Sequence, residues 1–244
     1  FRGNPQLTDS QLYNAEARWE WYYARDQRVS LSGFFKRIDH PIETYASFDG
    51  NNVFTSFANA PRANLYGGEI ETQKYFDLSG LGDEFFQTRR AVVVANYTYS
   101  HSALKVGPDD PVAAFPLSVT RANQLFRDGS PLTGQSDHLV NLELGLEDQD
   151  HLSQQTLLLS YASIRTTRRG PSGQADIREK PGFHLDFVAR EAVEFGSVPA
   201  EIKFEVRNIT GTKFQEYQQN GDNRIYYNLY NVGTTGALGI AFNF

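Results

Sequence analysis

The chain has 244 residues, 29 Asp and Glu against 23 Lys and Arg, a formal net charge of −6 and a mean hydropathy of −0.49. The acidic balance argues against nucleic-acid binding, which uses a basic face, and the absence of Cys excludes disulfides, thiolate metal sites and cysteine nucleophiles. No apolar run approaches the roughly 18 to 20 residues of a spanning helix, but that leaves a membrane barrel open, because its strands turn half their residues away from lipid.

In chain order, the first long segment, "QLYNAEARWEWYY", alternates with period 2: Tyr13, Ala15, Ala17, Trp19, Trp21 and Tyr23 against Asn14, Glu16, Arg18 and Glu20. A short link leads to "RVSLSGFFKRI", where Val29, Leu31, Gly33 and Phe35 oppose Arg28, Ser30, Ser32 and Lys36, and the pair reads as a hairpin. A polar and aromatic stretch follows, then "NLYGGEIETQKYF", with Glu69, Glu71 and Gln73 opposite Ile70 and Thr72. In "RRAVVVANYTYSHS", Ala91, Val93, Ala95, Tyr97 and Tyr99 oppose Asn96, Thr98 and Ser100. A Pro-containing loop precedes "HLVNLELGLE", in which Val140, Leu142, Leu144 and Leu146 oppose Asn141, Glu143 and Glu147. Then come "QTLLLSYASIR", a long loop, "FHLDFVARE", a turn, and "EIKFEVRNI", where Ile202, Phe204 and Val206 oppose Glu201, Lys203, Glu205 and Arg207. After a last long loop, "GALGIAFNF" closes the chain with Leu238, Ile240, Phe242 and Phe244 on one face.

These about nine strands are joined by connections that run alternately short and long, the pattern of transmembrane barrels with short periplasmic turns and long extracellular loops. If the last strand descends to the periplasm, so does the first. Trp19, Trp21 and Tyr23 then fall at the lower interface, Tyr97 and Tyr99 at the upper one, and Phe242 and Phe244 at the lower rim, giving two aromatic girdles.

Taken together and in this order, "GNPQLTDSQLYNAEARWEWYY", "VSLSGFFKRIDHPIE", "NLYGGEIETQKYF", "VVVANYTYSHS", "LTGQSDHLVNLELGLE", "GFHLDFVARE", "IKFEVRNITGTKFQEYQ" and "GALGIAFNF" resemble the C-terminal half of the β-barrel of TonB-dependent outer-membrane receptors. The resemblance implies an all-β, antiparallel transmembrane β-barrel of about 22 strands plugged by an N-terminal domain. On that reading residues 1–244 are the C-terminal portion of the barrel domain. The first strands, the plug and the segment that contacts TonB lie outside this sequence, in keeping with a chain that begins at Phe1 without a signal peptide or any Met. Gly239, Phe242 and Phe244 are similar to the C-terminal signal read by the barrel assembly machinery, although Ala237 departs from the polar residue often found two positions before that glycine. The resemblance also implies the bacterial outer membrane as location, with its lipid and lipopolysaccharide as partners. It further implies active import of a scarce ligand such as a siderophore, cobalamin or a saccharide.

No catalytic constellation, metal-ligand spacing among the five histidines or cofactor fingerprint is present, so neither an enzyme nor a cofactor is expected. The "NYT" and "NIT" triplets at 96 and 208 fall in predicted strands and are set aside. Ligand-binding candidates are the aromatic and Arg residues of the long loops, types that supply rigid contact area and bidentate recognition of anions. They are Tyr45, Phe48, Phe54 and Phe57; Arg121, Phe126 and Arg127; Arg165, Arg168 and Arg169; and Arg224, Tyr226, Tyr227 and Tyr230. The alternative for each is to pack one loop against another or to meet lipopolysaccharide at the rim. At the level of the whole chain, the alternatives are a passive porin or structural barrel and, further off, a soluble all-β binding or adhesion domain.

Overall fold

The computed structural model describes residues 1–50, 52–170 and 173–242. Nine antiparallel strands form one sheet in the order β1 (Gln11–Ala24), β2 (Gln27–Asp39), β5 (Arg62–Asp77), β6 (Arg89–Lys105), β7 (His138–Asp148), β8 (Ser153–Ala162), β11 (Gly182–Phe195), β12 (Val198–Arg207) and β15 (Thr235–Phe242). Each strand pairs with its predecessor in the wall, as a chain running up and down must. These are the nine strands expected from the alternation. Among the described residues, β1 and β15 each have a paired neighbour on one side only.

The register keeps every predicted apolar face on the same side. Trp19 lies opposite Leu31, Leu31 opposite Ile70, Ile70 opposite Tyr97 and Tyr97 opposite Val140. Further along, Leu142, Leu159 and Leu185 are paired in succession, and Phe204 meets Leu238. Because directly opposite residues share a face and a slip of one position would invert a strand, the outer surface is one continuous apolar sheet. The other face holds the charges, largely paired along the wall: Arg18 with Glu20 and Glu71, Arg90 with Glu147, and Arg190 with Glu201.

The ladder also climbs. The line Trp21, Val29, Thr72, Ala95, Leu142, Leu159, Leu185 begins beside the turn after β1 and ends beside the long connection before β11. This stagger is what tilted barrel strands require. Where β5 passes β6, a Cβ on Gly67 would lie 2.1 Å from the Tyr99 carbonyl and 2.7 Å from the Phe34 ring, so glycine permits the contact.

The two ends of the wall differ. At one end the links are the turns Arg25–Asp26 and Gly196–Ser197, with Asp26 and Gly196 in the left-handed region suited to tight hairpins, the loop 149–152, and a segment with two short 3₁₀ turns at 78–88. At the other end run four long connections, 40–61, 106–137, 163–181 and 208–234. Trp19 and Trp21 stack near the turn end, where Phe195 also meets Phe242 at 5.7 Å. Near the loop end Tyr97 and Tyr99 close on His138, and Tyr161 meets Phe183 at 4.4 Å. Two aromatic bands thus edge the apolar face, as at the boundaries of a bilayer.

The long connections, which carry no clean alternation in sequence, contain strands of their own. The first holds the hairpin β3 (Ile42–Asp49) and β4 (Asn52–Asn59). The third holds β9 (Arg165–Arg168) and β10 (Ile177–Glu179), and the fourth holds β13 (Lys213–Asn220) and β14 (Asn223–Asn231), joined in the order β14-β13-β10-β9. β12 ends at Arg207, so "NIT" begins after the strand instead of within it. Asn208 takes a left-handed conformation and donates from Nδ2 to the carbonyls of Thr212 and Gly233, closing the neck of the fourth connection.

Candidate functional site

The four connections knit into a roof. Its small core is formed by Tyr45, Ala58 and Ala60 from the first connection and Ala114, Ala122 and Phe126 from the second, packed on Ala63, Leu104 and Ile38. Those last three residues occupy the upper ends of β5, β6 and β2 on the same face as Glu69, Asn96 and Ser32, so the roof folds over the polar side of the wall. The segment before β1 joins it: Asn4 donates to the carbonyls of Phe57 and Ala113, and Phe1 stacks on Phe57.

Arg169 is the centre of this assembly. Its backbone forms a parallel bridge with Tyr45: Ala46 N–H donates to the Arg169 carbonyl and Arg169 N–H to the Thr44 carbonyl, both at 2.8 Å. This bridge attaches the β3–β4 hairpin to β9. The guanidinium and the Glu43 carboxylate are each only 1% exposed. Glu43 accepts from Arg169 Nε at 3.0 Å and from Thr133 N–H at 3.1 Å, while Arg169 also reaches Asp176 at 3.0 Å and the Pro131 carbonyl. A planar fork of donors suits this three-way role in a way that a lysine ammonium does not. Burial pushes the Glu43 carboxyl above its ordinary range, against the opposing pull of Arg169 and Thr133.

A second cluster holds the fourth connection. Glu216 receives Thr167 Oγ1 at 2.6 Å, Asn228 Nδ2 at 2.7 Å and Arg168 at 2.5 Å, and Arg168 also lies over the Tyr227 ring. Burial raises the Glu216 carboxyl, but these hydrogen bonds and the Arg168 charge together outweigh it and hold the group below its ordinary range.

The predicted loop residues therefore fall into different environments. Tyr45 and Phe126 are enclosed, Tyr45 donating to the Phe115 carbonyl at 2.8 Å, with burial raising its phenol. Arg165 pairs with Glu179 at 2.9 Å, and Arg169 and Arg168 hold the two clusters just described. Phe54 lies beneath Arg2, Arg224 lies over Tyr217, Tyr226 meets the same ring edge-on, and Tyr230 stacks on Phe214. Phe48 and Tyr230 are about half exposed, and Arg121 approaches Asp109 at 3.7 Å on the surface. Arg127 lines a cleft of about 850 Å³ between the second connection, β10 and the β13–β14 turn, together with Asn123, Asp128, Asp176, Arg178 and Asn220. Gly239 and Phe242 lie in β15; Phe244 is outside the described residues.

Sequence reasoning missed Glu43, Glu216, Asp176 and Arg178. A search for carboxylates able to partner the arginines of "RTTRR" would have raised the first three as candidates, but nothing in the spacing links residue 43 to residue 169. Among the described residues no group of three or more His, Asp or Glu side chains is placed to hold a metal, and no helix is long and apolar enough to cross a membrane.

An apolar outer face edged by aromatics, a charged inner face, tight turns at one end and a loop roof at the other define the wall of an outer-membrane-type β-barrel. The family model described as TonB dependent receptor-like, beta-barrel matches residues 1–209, and the chain belongs to that family. Its members are outer-membrane receptors and transporters, not enzymes. No curated protein and no solved structure matched the chain.

Proposed function

We propose that this chain supplies wall and extracellular roof to a receptor in the bacterial outer membrane that captures a scarce solute, such as a siderophore, cobalamin or a saccharide, and imports it actively through TonB. The observation that carries the reading is the inward fold of the roof: its core packs on the polar-face ends of β2, β5 and β6, so a solute approaching the lumen meets it first. The two unpaired sheet edges fit an arc of a wider barrel, with a plug contributed by sequence beyond this chain. In this scheme β15 is the strand read by the barrel assembly machinery, and the upper aromatic band meets lipopolysaccharide.

The test uses the complete protein in cells. Uptake of the limiting nutrient that its deletion abolishes should stop when the proton-motive force is collapsed. Uptake that continues unchanged, with ligand-independent ion conductance by the purified protein, would replace the receptor reading with that of a passive porin.

A further inference from the structure

The arginines of the roof are not equivalent. Arg165, Arg168 and Arg169 are committed to Glu179, Glu216, Glu43 and Asp176, Arg121 approaches Asp109, and Arg224 is held by Gln219 and the Tyr217 ring. Arg127 and Arg178 have no side-chain partner among the described residues, and both line the 850 Å³ cleft, one from the second connection and one from β10. The carboxylates lining the same cleft are already engaged. Asp128 accepts the Val106 N–H at 2.9 Å, and Asp176 takes Arg169 on one oxygen and the Gly170 N–H on the other. Both carboxylates keep their charge, but the charged groups left without a hydrogen-bond partner in the cleft, among the described residues, are the two guanidiniums.

We propose that this cleft is an anion-recognition site in which Arg127 and Arg178 together bind a carboxylate or phosphate group of the captured solute. The proposal rests on the reading of the roof as a capture surface and narrows its ligand to one bearing such a group. Guanidinium forks bind planar carboxylates and phosphates through paired, charge-assisted hydrogen bonds. Two of them on separate connections would make binding depend on both loops at once. The side-chain amide of Asn220, the last residue of β13, adds a neutral donor on the third side.

The experiment titrates citrate, inorganic pyrophosphate and, as a neutral control, maltose into the complete detergent-purified protein by calorimetry at low and high salt. At least one anion should bind with salt-sensitive affinity. Arg127→Gln and Arg178→Gln should each weaken it by about tenfold or more. Arg25→Gln, which removes the same charge at the turn end of the wall, should leave affinity unchanged. Binding of citrate alone assigns the site to carboxylates, and binding of pyrophosphate alone to phosphates.

A second readout needs no variant. Phenylglyoxal should modify Arg127 and Arg178 in the free protein, and the bound anion should protect both. The proposal is overturned if neither anion binds at millimolar concentration, if the double variant binds as well as the unchanged protein, or if protection is absent. Energised uptake with an unaltered KM in the double variant would also overturn it while leaving the receptor reading intact. Uptake indifferent to the proton-motive force is the separate result that removes the receptor reading.

Discussion

The wall and the roof are both β-structure, yet they are held together by different physics. In the wall each strand pairs with the one before it in the sheet, apolar residues share an outward face, and charges are matched along the inner one. Its specificity comes from a repeating register, so no single side chain is indispensable to the pattern. The roof has a small core and a few polar nodes, and residues from separate connections meet at single points such as Arg169. Local disruption should therefore be graded in the wall and abrupt in the roof.

The largest effect that would sharpen this contrast is expected from Arg169→Ala. Removing one partner of an enclosed ion pair leaves Glu43 without its counter-charge and costs about 3–5 kcal/mol. Hydrogen exchange should show the loss in residues 42–59 and 165–170, with the amides of β6 and β7 unchanged; equal protection in the roof would contradict its dependence on this node. Leu144→Arg should cost about 2–4 kcal/mol if that residue lies near the bilayer midplane. That effect should be read in the unfolding of the lipid-embedded complete protein and should leave roof exchange untouched.

A pH series separates the two carboxylates of the roof. Glu216 is depressed, so its stabilisation is present above the ordinary carboxylate range and is lost as pH falls through the lowered value. Glu43 is raised, so its contribution is present below that range and is lost as pH rises through the elevated value. After correction for intrinsic exchange rates, acidification should loosen the β13–β14 hairpin before the β3–β4 hairpin; loosening in the reverse order would refute the assignment. The smallest effect is expected from Arg121→Ala, because its 3.7 Å approach to Asp109 is solvent-exposed; thermal unfolding should register a change of no more than about 1 kcal/mol.

The same contrast explains what could be read from sequence. Period 2 marked the wall strands other than β8, whose Leu157, Leu158 and Leu159 run together, because one face meets an apolar surround and the other a polar lumen, and the register carries Leu31, Ile70 and Tyr97 onto a single face. The roof strands escaped because burial in them does not follow period 2: in β3 Tyr45, Ala46 and Ser47 are buried in succession, and β14 is exposed along most of its length. β3 reads Ile42, Glu43, Thr44, Tyr45, and its most buried members include a glutamate and a tyrosine. Arg and aromatic residues drew attention to the four long connections, but composition could not distinguish Arg169, enclosed by its partners, from Arg127, which lines a cleft. That distinction depends on pairings between connections distant in sequence. Arg178 lay in a loop already singled out for other arginines and carried no local signal to set it apart.

The parallel bridge between Tyr45 and Arg169 bears on the order of assembly. Glu43 and Arg169 are 126 positions apart, and in an open chain bringing them together would incur the loop-closure entropy of everything between. Once β2, β5, β6, β7 and β8 have zipped edge to edge, the connections that carry β3–β4 and β9 emerge from one rim and much of that entropy has already been spent. The roof is in this sense a late structure. Its closure reports that the strands beneath it have found their register, and a slipped strand would carry its connection away from the bridge that is meant to receive it.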